Sequence, residues 1–319
     1  MYRIPALVKT NSGRLLAFCE GRQSLFDHGD IDLVLKTSDD GGHTWSKLQL
    51  VWNYGKHTCG NPVPVVDAAT GNVIVVATLD NDSVFVLRSA DEGKTWSAPQ
   101  NITASVKPAN WQWYATGPVH GIQLKQAPYT NRLVVPCNHT VAGGSAHISH
   151  AIYSDDGGAN WVLGQGVMPE GTDECTVIEL TTGELMLNMR TNGRTQPFRK
   201  KTMSSDGGKT WTSAKYEPLL PEPVCQGSLL RYSFSPGAIL FLNPAHKTQR
   251  KSLTLSISYS EGKAWERSVS VNKGKSAYSD MAVLNNGALL CVYETGKILP
   301  YSGIVFQSIP IDSILPPTP

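Results

Sequence analysis

Arg3, Arg190 and Arg250 are far apart in the chain, yet each stands at a comparable distance from a turn signal. Arg3 lies ten residues before Gly13, Arg190 lies seven after Gly183, and Arg250 follows the apolar run that starts at Gly237. Counted the same way, Asn61 lies ten before Gly71, Glu174 nine before Gly183 and Tyr278 nine before Gly287. Glu294 lies seven after Gly287, Arg22 nine after Gly13, and Asp27 just beyond Arg22. If these glycines turn hairpins, a rise of about 3.3 Å per residue carries all these side chains to the strand ends opposite the turns. A lone arginine at a strand end is usually an ordinary ion-pair residue. Three guanidiniums that converge repel one another unless an anion lies between them, and their planar fork suits a carboxylate. A carboxylate-bearing ligand is the expectation, with Glu294 placed to hold one arginine, Arg3 above all.

Two repeats supply the elements that would position this set. The first is a turn followed by an apolar run, at Gly13, Gly71, Asn131, Gly183, Gly237 and Gly287. Such runs read as strands bounded by turns. The second is a box, Ser-x-Asp-x-Gly-x-x-Trp, at Ser38–Trp45, Ser89–Trp96, Ser154–Trp161 and Ser204–Trp211. A fifth copy, from Ser258 to Trp265, has Ser260 where the others have Asp. Spacings of this size indicate a repeat array, and one four-stranded unit per hairpin predicts an all-β, six-bladed β-propeller over residues 1–319, as a single domain. The ring would close by pairing the two termini within one blade. The box reads as a turn staple: Ser and Asp bond backbone N–H groups, Gly takes a conformation other residues resist, and Trp covers the outer surface of the blade. The boxes come one strand later than the hairpin turns, so they belong at the end away from the polar set.

Composition narrows the function classes. The formal net charge is +2 and charged residues make up 17%, too little for a general polyanion binder, so nucleic acid is not an expected partner. No apolar run approaches bilayer-spanning length, and no secretory leader is visible. Met1 directly precedes an apparent strand, as in a mature chain cut from a precursor, so the missing leader leaves secreted, lysosomal and other locations open. Cys19, Cys59, Cys137, Cys175, Cys225 and Cys291 form no CxxC pair and read as free buried thiols. One Asp per box is too few ligands for calcium. His28 and the other histidines show no ligand spacing, so no metal and no cofactor are expected. Sequons stand at Asn81, Asn101 and Asn138.

Several segments together resemble the exo-sialidases (neuraminidases) of the bacterial and animal type: YRIPAL at 2–7, LLAFCEGR at 15–22, the boxes, DECTVIEL at 173–180, LNMR at 187–190, CQGS at 225–228 and AYSD at 277–280. The resemblance implies that Arg3, Arg190 and Arg250 form the triad gripping the carboxylate of sialic acid. It implies Asp27 as acid/base, Tyr278 as nucleophile, Glu174 as its activating partner, and Glu294 as the acid steadying Arg3. Asn61 and Gln226 match positions near the pocket, and Arg22, placed at the same strand ends by its distance from Gly13, is counted with them as substrate-binding. The implied partners are sialylated glycans, glycoproteins or glycolipids, acted on by a monomer that hydrolyses with retention.

A tyrosine nucleophile is a recognised exception among glycosidases. It has a physical logic, because a neutral phenol approaches an anomeric carbon that already bears a carboxylate without like-charge repulsion. Asp27 has acidic neighbours in Asp30 and Asp32 and could be a solvated loop residue but for its offset from the RIP segment. Strand alternation predicts that only one of Asp173 and Glu174 faces inward, Glu174 by the motif. Two other functions remain open. A trans-sialidase, intramolecular or not, would use aromatic residues on the acceptor side, with Trp111, Trp113 and Tyr114 as candidates. A noncatalytic glycan-binding propeller would have degraded catalytic positions.

Overall fold

The computed structural model describes residues 1–192 and 195–310. The chain is folded as an all-β propeller of antiparallel sheets, and the one helix among the described residues is the single turn α1 (Thr103–Val106). The first sheet contains β1 (Tyr2–Lys9), β2 (Leu15–Arg22), β3 (Ile31–Ser38) and β4 (Gln49–Trp52) in sequence order. The second contains β5 (Cys59–Val66), β6 (Val73–Leu79), β7 (Ser83–Ser89) and β8 (Gln100–Asn101). In the third, β9 (Trp111–Thr116) and β10 (Ile122–Gln123) both pair with β11 (Leu133–Val141), followed by β12 (His147–Ser154) and β13 (Val162–Leu163). The fourth contains β14 (Thr172–Glu179), β15 (Leu185–Thr191), β16 (Phe198–Ser204) and β17 (Lys215–Pro221).

The blade count differs from the expectation of six: five sheets form among the described residues. The fifth and sixth hairpin units share one six-stranded sheet of β18 (Ser228–Phe234), β19 (Gly237–Pro244), β20 (Lys251–Ser258), β21 (Arg267–Val283), β22 (Leu289–Thr295) and β23 (Gly303–Ile309). The cause is β21. Its 17 residues pair with β20 through the first half and with β22 through the second, so no break in hydrogen bonding separates the two units. The termini also do not share a sheet, because β1 pairs with β2 and β23 with β22. The ring closes by packing instead. Leu7, Leu15 and Ala17 meet Ala282, Leu284, Leu290 and Val292 in one buried cluster, and the Leu7 N–H donates to Asp280 Oδ2 at 2.8 Å.

Each box is the staple its residues predict. In the first, Ser38 Oγ donates to Asp40 Oδ1 (2.8 Å), and the N–H groups of Gly42 and Thr44 donate to Ser38 Oγ and Asp40 Oδ1 (both 2.9 Å). Gly42 has φ +92°, which a side chain resists. The fifth box keeps the turn without Asp: Gly262 N–H donates to Ser258 Oγ (2.9 Å) and Ala264 N–H to Ser260 Oγ (3.0 Å). The tryptophans depart from the expectation of an outer cover. Trp96 packs edge-on against Phe18 of the neighbouring sheet, and Trp45 stacks on Phe306 at 4.0 Å. They wedge between sheets because an indole buries more apolar area there than on a solvated face. Of the three sequons, Asn138 is fully buried and so is excluded as a glycan acceptor.

The cysteines are free, and all but Cys19 are buried. Burial pushes the Cys225 thiol up from 9.0 to about 11, and burial likewise pushes Cys137 up to about 12. The unfolded chain releases these protons near pH 9 while the folded chain holds them. Stability is therefore complete below pH 9 and falls as pH rises toward 11–12, by roughly 1.4 kcal/mol per pH unit for each such thiol. A thermal unfolding series from pH 8 to pH 11 is expected to show Tm falling continuously above pH 9; a flat Tm would contradict the burial of these groups.

Candidate active site

The strand ends opposite the boxes enclose a cavity of about 670 Å³. Its lining includes Arg3, Arg22, Asp27, Asn61, Glu174, Arg190, Arg250 and Tyr278, so eight of the sequence-predicted residues meet there. Two others stand behind the wall. Glu294 is fully buried and accepts from Arg3 Nε (2.9 Å), Arg3 Nη2 (3.2 Å) and the N–H groups of Ile4 (2.8 Å) and Tyr278 (3.2 Å). Gln226 does not reach the cavity. Its side-chain amide bonds both backbone groups of Ser279 at 2.9 Å, which fixes the strand beside Tyr278 and corrects its expected place at the ligand.

The backbone that delivers these side chains is irregular at this end. Register shifts fall between Arg3 and Ala6 in β1, Gly60 and Val63 in β5, Thr172 and Cys175 in β14, and Ser276 and Ser279 in β21. Ile4 and Asn61 have φ of 59° and 55°. Bulges re-aim side chains at strand ends, and here they face the cavity. They also explain a second correction. Asp173 and Glu174 both line the cavity, because the bulge between Thr172 and Cys175 breaks the alternation that would have turned one away.

Tyr278 is the centre of the cluster. Its hydroxyl donates to Glu174 Oε1, and Arg190 Nη1 donates to the same hydroxyl (3.2 Å) and to Glu174 Oε2 (2.5 Å). The guanidiniums of Arg3 and Arg250 each lie 5.5 Å from the ring centroid. Three cations thus surround one buried phenol. Burial, reinforced by the Glu174 charge, holds the Tyr278 hydroxyl well above its ordinary value, against the pull of Arg190 and Arg250. The resting phenol is neutral and its proton points at Glu174. Burial works against the charge on Arg3, but Glu294 outweighs it and the guanidinium titrates above its ordinary value. Arg250 Nη2 donates to the Val224 carbonyl at 2.9 Å.

Asp27 sits on the exposed segment 23–29, with its side chain 78% exposed. Arg22 Nη1 donates to Asp27 Oδ1 at 2.5 Å, and Arg3 Nη1 lies 3.6 Å from the same oxygen. Arg22 is itself held by Glu20, at 2.5 Å from Nη2 and 2.7 Å from Nε, and Glu20 also accepts from the Asn61 N–H (2.8 Å). Arg22 therefore bonds a carboxylate on each side, one buried and one exposed.

Several lining residues escaped the reading of the sequence: Glu20, Asp80, Asn81, His147 and Asn192. Glu20 carried a signal, since it precedes Arg22 by two and shares its face of the strand. His28, expected to be ordinary surface or core, also lines the cavity. Of the three aromatic candidates only Trp113 lines it; Trp111 stacks on His139, and Tyr114 is buried. Among the described residues no three His, Cys, Asp or Glu side chains group as a metal site, and no helix is long and apolar enough to cross a membrane.

Residues 13–291 match the family model described as a BNR repeat-like domain. The chain is 31% identical over 357 residues to a sialidase of Bacteroides fragilis, covering 98% of this chain and 63% of that one. It is 33% identical to an exo-alpha-sialidase of Arthroderma benhamiae, covering 82% of this chain and 68% of that protein. The chain thus spans less than two thirds of the Bacteroides relative. Among solved structures, the Hadza microbial sialidase Hz136 superposes with a TM-score of 0.88 at 28% identity, covering 98% of this chain and 66% of that one.

Proposed function

Because the chain belongs to the sialidase family, we propose that it is an exo-α-sialidase, hydrolysing terminal sialic acid from glycoconjugates with retention, and that residues 1–319 act as one catalytic unit. The observation that carries this reading is the buried Tyr278–Glu174 hydrogen bond inside a ring of three guanidiniums. Arg3, Arg190 and Arg250 grip the substrate carboxylate, with Glu294 holding Arg3 in place. In the first step Tyr278 Oη bonds the anomeric carbon as the glycosidic C–O bond breaks. The phenolic proton passes to Glu174, and the leaving oxygen takes a proton from Asp27. In the second step water gives a proton to Asp27 and attacks the same carbon, the bond to Tyr278 breaks, and Glu174 returns the phenolic proton. Two displacements at one carbon retain its configuration.

The test is the product formed from 3′-sialyllactose, followed by proton NMR. The first sialic acid released is expected to be the free α-anomer. A β-anomer released first would contradict the double displacement, and an anhydro or transferred product would favour the transglycosylase, for which Trp113 at the cavity wall is the supporting feature.

A further inference from the structure

We infer that Thr58 is a positioning residue for the proton donor Asp27, an inference that rests on the acid/base reading of Asp27 given above. Residues 23–29 are all exposed, so packing does little to locate the segment that carries this carboxylate. On one side Arg22 Nη1 reaches the Phe26 carbonyl (3.3 Å) and Asp27 Oδ1 (2.5 Å). On the other side, two residues beyond Asp27, one hydroxyl clamps both backbone groups of Gly29. The Gly29 N–H donates to Thr58 Oγ1 and Thr58 Oγ1 donates to the Gly29 carbonyl, each at 3.0 Å.

Thr58 is able to act as an anchor because it is itself fixed. It is 3% exposed, and it precedes β5 directly. Its N–H donates to Asp80 Oδ1 (2.9 Å), its carbonyl accepts from the Asp80 N–H (2.8 Å), and His57 Nδ1 lies 2.6 Å from Asp80 Oδ2. The preceding His57 carbonyl accepts from the Ile31 N–H at 3.2 Å, which ties the exit of the same loop to the second sheet. Gly29 has φ +110° with open space where a Cβ would stand, a backbone that presents its N–H and C=O to one hydroxyl. The loop is thereby registered against β5, whose Asn61 lines the cavity.

In kcat/KM, which reports the steps through departure of the leaving group and not the later attack of water, a misplaced acid is felt only when that group needs a proton. This separates positioning from general structural damage. Thr58→Val keeps the shape of the side chain and removes the hydroxyl. It is expected to lower kcat/KM on 3′-sialyllactose by about 10–100-fold and on 4-nitrophenyl sialoside, whose phenolate departs unaided, by less than about 3-fold. Thr58→Ser restores the hydroxyl and is expected to recover both rates to within about 3-fold. Asp27→Ala, measured on the same two substrates, is the reference. If it loses both rates equally, the acid/base reading of Asp27 fails. If it shows the asymmetry while Thr58→Val shows an equal loss, or none, the anchor is overturned and the reading of Asp27 stands.

Discussion

Replacing Tyr278 with phenylalanine is expected to lower kcat on an aryl sialoside by about 10²–10⁴-fold while KM changes only a few-fold. The substitution removes one oxygen atom. The ring still fills its place between the guanidiniums of Arg3 and Arg250, and Glu174 keeps its 2.5 Å bond from Arg190 Nη1. The carboxylate grip therefore survives, and the fold with it. What is lost, in the proposed mechanism, is the atom that bonds the anomeric carbon and the proton that passes to Glu174. Kinetics with both parameters resolved, beside a thermal melt, check this: an unchanged kcat would remove Tyr278 from the mechanism. His28→Ala is the comparison. His28 lines the cavity but shares no hydrogen bond with this pair, and its effect is expected to be far smaller.

Arg250→Gln is expected to raise KM by about 10–100-fold and to lower kcat/KM by at least as much. Hydrogen bonds to charged groups contribute about 1.5–3 kcal/mol, and each 1.4 kcal/mol is a factor of ten. Arg250 is the arginine of the three that isolates ligand binding. Arg3 holds the fully buried Glu294, and Arg190 holds Glu174, so removing either strands a buried carboxylate and costs stability directly. Arg250 is bonded instead to the Val224 carbonyl. Arg250→Lys keeps the charge but not the fork, and it should recover only part of the loss. Saturation kinetics on the aryl sialoside are the measurement, and an unchanged KM would mean that Arg250 does not touch the substrate.

Much of this site was legible because hairpins conserve distance. Residues equally far from Gly13, Gly71, Gly183 and Gly287 arrive at one end of their sheets whatever the loops do, and Arg3, Asn61, Glu174, Arg190 and Tyr278 follow that rule. The rule fails where the strand is not regular. The bulge in β14 puts Asp173 beside Glu174, a pair that alternation forbids. Burial raises the Asp173 carboxyl, outweighing the pull of Arg190, and the Glu174 charge adds to the effect. Blade counting failed for a related reason: turn signals mark hairpins, but nothing in the residues 267–283 announces that one strand will bond to both neighbours. Loop contacts were the least legible, since the bond from Thr58 to Gly29 joins two turns whose approach depends on how whole sheets pack. The same holds for Gln226, whose motif placed it near the pocket but whose amide serves the backbone of Ser279.

The proposed mechanism requires the Tyr278 oxygen to become covalently joined to the sugar. Incubating the protein with 2,3-difluorosialic acid and mapping its peptides by mass spectrometry tests this directly. One 3-fluorosialyl adduct is expected, on the peptide that contains Tyr278, and absent from Tyr278→Phe. An adduct on the peptide of Glu174 or Asp27, or turnover of the reagent with no adduct at all, would contradict it.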